Sequence, residues 1–76
     1  MYTDQMRRAV HNIQAPSGFG VDIIDNEHFL TVKLDEMKIV RMNHDEKIQA
    51  LSYVVQLKKA LEMEGAIVLV TREAAK

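Results

Sequence analysis

The feature that most constrains this chain is the segment from Asn43 to Glu64, which contains no glycine or proline. Its apolar residues recur at the spacing of a helix face. Asn43 or Asp45 can cap the start, and Glu46 adds the negative charge that a helix start favours. Gly65 follows at the position where helices end on a left-handed residue. We therefore predict one long helix that ends at about Glu64.

The apolar residues of this helix divide into two sets. We expect the larger set to face a sheet, and it comprises Ala50, Tyr53, Val54, Leu57, Ala60 and Leu61. The smaller set, Ile48, Leu51 and Val55, is displaced around the helix and interleaved with Lys58 and Glu62. One core needs a single apolar stripe. The second set therefore predicts either packing of the N-terminal helix on this flank, through Met6, Val10 and Ile13, or a surface for a partner.

The rest of the chain predicts a short helix and several strands. Residues 4–14 form a helical pattern with Met6, Val10 and Ile13 on one face, and residues 15–18 break it with proline and glycine. Residues 19–24 alternate as a first strand, which a turn at residues 25–27 joins to a second strand at 28–34.

Two further strands complete the predicted sheet. Residues 66–71 are rich in branched side chains and apolar on both faces, as is typical of a central strand. Residues 37–42 are weakly patterned and are interpreted as a third strand. A crossover through the long helix would place the last strand beside the first. The predicted fold is α+β, with a three- or four-stranded mixed sheet of order 3-2-1-4 covered by one long helix, and with a short N-terminal helix.

Length and composition limit the class of protein. The 76 residues suit one domain, with residues 1–15 as a helical arm and 19–71 as a sheet-plus-helix core. Absence of cysteine excludes disulfides, thiolate metal sites and thiol nucleophiles. No apolar run approaches the roughly 20 residues of a membrane-spanning helix, and no secretory signal is evident. We expect a cytoplasmic protein.

The residues that could carry catalysis or bind a metal are poorly placed. His11 lies near two arginines, and His28 ends an acidic turn whose spacing matches no common metal motif. His44 lies in an acidic cluster at a helix start, where a role in capping the helix is expected. Ser17 and Ser52 have no predicted base beside them. We therefore expect no enzyme activity, no catalytic residues, no metal site and no cofactor.

Five basic residues define an alternative, a weak nucleic-acid-binding regulator. If residues 37–42 form a strand, several of them share a basic sheet face. The five are Arg7, Arg8, Lys33, Lys38 and Arg41. The net charge of −1 and the scarcity of aromatic residues argue against nucleic acid as a partner.

These patterns favour a small non-catalytic protein-interaction module, an adaptor, inhibitor or regulator of the bacterial or viral type. Small domains without disulfides often gain stability by oligomerisation, so we expect a homodimer. The predicted partner-binding residues are Ile48, Leu51, Val55, Lys58 and Glu62. A further alternative is a structural component of a larger assembly, joined through the exposed edge of the last strand.

Overall fold

The computed structural model describes residues 2–13 and 20–73, and shows a mixed sheet packed against helices. The elements in chain order are α1 (Asp4–His11), β1 (Val21–Asp25), β2 (Leu30–Asp35), α2 (Glu36–Val40), α3 (His44–Met63) and β3 (Val68–Glu73). The predicted α+β class, with one long and one short N-terminal helix, is confirmed. The sheet has three strands in the described residues, in the order β1-β2-β3.

The predicted hairpin is formed by β1 and β2, which pair antiparallel with Asp25 opposite Leu30. Its turn is closed by a hydrogen bond from the Asn26 backbone N–H to the Phe29 carbonyl at 2.9 Å. The Asn26 side chain also donates to the Thr31 hydroxyl at 2.9 Å. Asn26 therefore closes the turn with both its backbone and its side chain.

The alternation along β2 separates a buried face from an open one. Leu30, Val32 and Leu34 are all buried beneath the helices, whereas Thr31 and Lys33 lie on the opposite face. This is the assignment that the period of two predicts. β2 is the central strand, which explains why its inner residues are the most deeply buried of the sheet.

The third strand predicted at residues 37–42 is wrong, because Glu36–Val40 forms the short helix α2. The Asp35 carboxylate caps this helix by accepting a hydrogen bond from the Met37 backbone N–H at 3.0 Å. The apolar residues of the segment have no clear period, so the cap decides the conformation. The strand interpretation overlooked Asp35 as a helix start.

The loss of that strand also changes the position of the last one. β3 pairs in parallel with β2, with Leu30 opposite Val68, and not with β1. The predicted order 3-2-1-4 is therefore wrong. The crossover through α3 starts from β2 and returns to its free edge, so the last strand is parallel to the strand from which the crossover departs.

Helix α3 begins and ends near the predicted residues. Asn43 is its N-cap, and Gly65, with a φ of 92°, follows its C-terminal end. Ala50, Val54 and the two leucines of the predicted sheet-facing set are buried. The contiguous core consists of Met6, Leu30, Val32, Leu34, Val54, Leu57, Leu61 and Val68.

Helix α1 is capped by Thr3, whose hydroxyl accepts a hydrogen bond from the Met6 backbone N–H at 3.1 Å. It ends at His11, before the predicted end at residue 14. The predicted break at residues 15–18 and the start of the first strand at 19 lie outside the described residues. Residues 74–76 lie outside the described range.

Candidate functional site

Three large apolar side chains form an exposed surface on α3. Ile48, Leu51 and Val55 are 52%, 52% and 64% exposed, and we call this set the α3 flank. Ala50 and Val54, which belong to the same turns, are buried. The exposure of the α3 flank thus follows from its position around the helix and not from fraying of the helix.

Helix α1 also packs against α3. Its Met6 is buried in the same core as Leu57 and Leu61. Burial raises the pKa of Tyr53 on α3, and the neighbouring Tyr2 phenol raises it further. The α3 flank stays exposed beside the packed helices. Of the two predicted roles for these residues, packing against α1 is therefore not observed.

Lys58 and Glu62 extend this surface along the helix. Each is exposed and lies two turns after a residue of the α3 flank, Lys58 after Leu51 and Glu62 after Val55. Residues seven apart lie on nearly the same side of a helix. All five predicted partner-binding residues therefore share one side of α3, with opposite charges towards its C-terminal end.

A groove of about 220 Å³ adjoins the α3 flank, where the carboxyl ends of β2 and β3 meet α2 and α3. Leu51 of α3 and Arg72 of β3 both line it. The Arg72 Nη1 atom lies 3.9 Å from the Glu36 Oε1 atom. The remaining lining residues are Leu34, Glu36, Ile39, Val40, Lys47 and Ala50. The groove is thus apolar at its base and charged at its mouth.

The shared groove brings Leu51 of α3 near Arg72 of β3. The two elements run in opposite directions, because a short connection joins them. One helix turn from Leu51 to Val55 advances about 6 Å, and two strand residues from Arg72 to Val70 advance about 6.6 Å. Starting from Leu51 near Arg72, these advances put Val55 near the level of Val70, and we infer that the α3 flank lies on the β3 side of the helix.

Strand β3 is an edge of the described sheet, although its pattern is typical of a central strand. Leu69 is 50% exposed on the open face, and Val70 is 42% exposed on the helix face. The register places Val70 opposite Val32, which is fully buried. Val70 is exposed because no further strand in the described residues covers it from the side. Sequence reasoning missed this residue, and the apolar character of both strand faces was the available signal.

The five basic residues of the nucleic-acid alternative lie on separate elements. Arg7 and Arg8 are on α1, where the Arg7 guanidinium lies 5.7 Å from the centre of the Tyr2 ring. Lys33 is on the open face of β2, in register with Asp22. Lys38 is on α2 and Arg41 follows it, so neither belongs to the sheet as the prediction required.

Three further observations concern function. Among residues 2–13 and 20–73, no group of three histidine, aspartate or glutamate side chains is placed to hold a metal ion. None of the helices in the same ranges has the length and apolar character needed to cross a bilayer. Comparisons with protein-family models, with curated proteins and with solved structures found no match.

Proposed function

We propose that this protein is a non-catalytic interaction module of the cytoplasm, an adaptor, inhibitor or regulator of the bacterial or viral type, which self-associates. The α3 flank is the binding surface, with Lys58 and Glu62 at its rim. The observation that carries this proposal is the exposure of more than half of Ile48, Leu51 and Val55 on one side of a well-packed helix.

The physical reason is the cost of leaving these side chains in water. Fully burying an exposed valine, leucine or isoleucine contributes roughly 1.5–3 kcal/mol, so a partner that covers the exposed half of each of these three gains roughly half of that per side chain. Contiguous apolar patches with charged rims are typical of protein interaction sites. The adjacent groove adds a recess beside Leu51 into which a partner side chain can insert.

A second copy of the chain is the partner that the charges favour. The net charge of −1 opposes self-association only weakly, and the surface carries both signs at its rim. In a symmetric dimer the same patch meets itself, so a surface with both signs is self-complementary. The exposed edge of β3 supports the related alternative, a structural component of a larger assembly.

The test is a light-scattering measurement of molar mass across a range of protein concentrations, for the natural chain and for Leu51→Asp. We expect a dimer for the natural chain and a monomer of 8.7 kDa for the variant. Gln49→Asp is the matched control, because Gln49 is exposed on the same helix but away from the α3 flank. It adds the same charge and should leave the dimer intact.

Circular dichroism separates loss of association from loss of folding. Leu51→Asp should keep the helical spectrum of the natural chain, because Leu51 is half exposed. A folded natural chain that stays monomeric up to millimolar concentration would contradict self-association. Equal dissociation by Gln49→Asp would show that general charge, and not the α3 flank, governs it.

A further inference from the structure

We infer that β3 pairs antiparallel with β3 of a second copy, with Val70 opposite Val70, to give a continuous six-stranded sheet. This inference rests on the proposed self-association and specifies how the two copies meet. It begins with the backbone of β3, because an edge strand offers unpaired N–H and C=O groups to a neighbour.

The hydrogen bonds between β2 and β3 determine which backbone groups of β3 are directed outwards. The Leu30 N–H donates to the Ile67 carbonyl at 2.8 Å, while Leu30 is in register with Val68. In a parallel pair, alternate residues of each strand direct both backbone groups towards the neighbour. Ile67 and Leu69 therefore bond to β2. Val68, Val70 and Arg72 direct their backbone groups to the free edge.

This alternation restricts how two copies can join. Antiparallel strands exchange two hydrogen bonds at each hydrogen-bonded pair, and only Val68, Val70 and Arg72 have groups available. The register with Val70 opposite Val70 places Val68 opposite Arg72 on both sides. It uses all three residues of each copy, which gives about six hydrogen bonds. A shift by two residues leaves one of the three pairs unmade.

The same residues decide the faces of the joined sheet. Directly opposed residues of an antiparallel pair point to the same face. Val68 and Val70 point to the helix face, since their register partners Leu30 and Val32 are buried beneath the helices. The two copies of α3 must then lie on the same face of the joined sheet, one on each side of the symmetry axis.

The position of α3 along β3 brings the two α3 flanks together over this axis. Val55 is level with Val70, so the two copies of Val55 lie at the axis and the two helices run antiparallel. Glu62 is about 10 Å from Val55 along one helix, and Lys47 is about 12 Å from it in the other direction. Glu62 of each copy is therefore placed near Lys47 of the other, so opposite charges meet.

Cysteine cross-linking tests the register, because the chain has no cysteine of its own. In Val70→Cys the two introduced thiols belong to opposed residues whose Cα atoms are about 5.5 Å apart, within the range of a disulfide. Thr71→Cys is the matched control one residue further on. Its two copies are diagonal neighbours about 7–8 Å apart, at or beyond that range.

We expect mild oxidation to convert most of Val70→Cys to a disulfide-linked dimer and to leave most of Thr71→Cys monomeric on a denaturing gel. A natural chain that dimerises and dissociates on Leu51→Asp, but whose Val70→Cys variant does not cross-link, would overturn this inference and leave the proposed function standing. A natural chain that is monomeric by light scattering would overturn both. Faster cross-linking of Thr71→Cys would overturn the register.

Discussion

Asn43 and Glu46 form two reciprocal hydrogen bonds at the start of α3. The Asn43 side-chain oxygen accepts a hydrogen bond from the Glu46 backbone N–H at 2.8 Å, and the Glu46 carboxylate accepts one from the Asn43 backbone N–H at 3.3 Å. This capping box occupies two of the backbone donors that a helix start leaves free. It therefore fixes where α3 begins.

Replacing Asn43 by alanine should lower the free energy of unfolding by about 1 kcal/mol, because the N-cap oxygen is lost. Asp45→Ala is the comparison, since the sequence alone allowed either residue as the cap. Asp45 lies in the first turn and contributes only its charge, worth about 0.3–1 kcal/mol at low salt. Urea unfolding in high salt should reduce the Asp45 effect and preserve the Asn43 effect; the reverse pattern would contradict the assigned cap.

Truncation of Leu57 and truncation of Val55 should have opposite consequences. Leu57 is almost fully buried, so Leu57→Ala should cost about 2–5 kcal/mol of stability. Val55 is mostly exposed within one copy, so Val55→Ala should leave the stability of the monomer nearly unchanged and weaken the dimer. Unfolding of a dilute, monomeric sample and sedimentation at higher concentration measure the two effects separately.

Exchange of charges should test the rim of the dimer. Glu62→Lys places a positive charge near Lys47 of the other copy and should raise the dimer dissociation constant several-fold at low salt. Lys47→Glu combined with Glu62→Lys should restore much of the lost affinity, because the pair is reversed. Sedimentation at low and high salt provides the measurement, and a double variant weaker than both single variants would contradict the antiparallel arrangement of the helices.

Tyr53 predicts a loss of stability at alkaline pH. Its folded pKa is raised above the ordinary value near 10, so the folded state holds the phenol proton more tightly than the unfolded state. This contribution is present below the unfolded pKa and disappears as the pH rises through the folded pKa. The stability of the natural chain relative to Tyr53→Phe should therefore fall in urea titrations as the pH rises above about 10. A constant difference would show that Tyr53 ionises equally in both states.

An L-residue at position 65 should find room for its side chain but should be strained by the left-handed backbone conformation of this position. The φ of Gly65 is 92°, and a Cβ atom there would meet no other atom within 4 Å among the described residues. Gly65→Ala should therefore cost about 1–2 kcal/mol through backbone strain alone. Gly65→Asn should cost less, since asparagine adopts left-handed conformations more readily. Thermal unfolding of the two variants compares them, and equal stability of all three chains would contradict a strained position.

The elements with strong periodicity could be predicted from the sequence. Leu30, Val32 and Leu34 alternate with polar residues, and a period of two has one structural solution when one face is buried. The start of α3 at Asn43 and its end before Gly65 follow from local chemistry that needs no tertiary context. The exposure of the α3 flank could likewise be expected, because its residues lie outside the sheet-facing stripe.

The strand order could not be predicted, because it depends on residues 37–42, whose pattern has no clear period. If these residues form a strand, the crossover through α3 starts from that strand and not from β2. The last strand is then placed beside the first strand and not beside β2. Val70 shows the same difficulty, since its exposure depends on β3 lying at an edge. Strand neighbours are long-range relationships that local residue patterns do not contain.

The parallel pairing of Leu30 with Val68 has a consequence for biosynthesis. On the ribosome, β1 and β2 emerge early and can form their hairpin through local contacts, whereas β3 is translated after every other described element. Until then the nascent hairpin presents an open β2 edge to solvent and to other nascent chains. β3 covers that edge only when it pairs with β2, after α3 has formed and brought the chain back to the sheet. The rate of this step therefore sets how long newly made molecules are prone to aggregate.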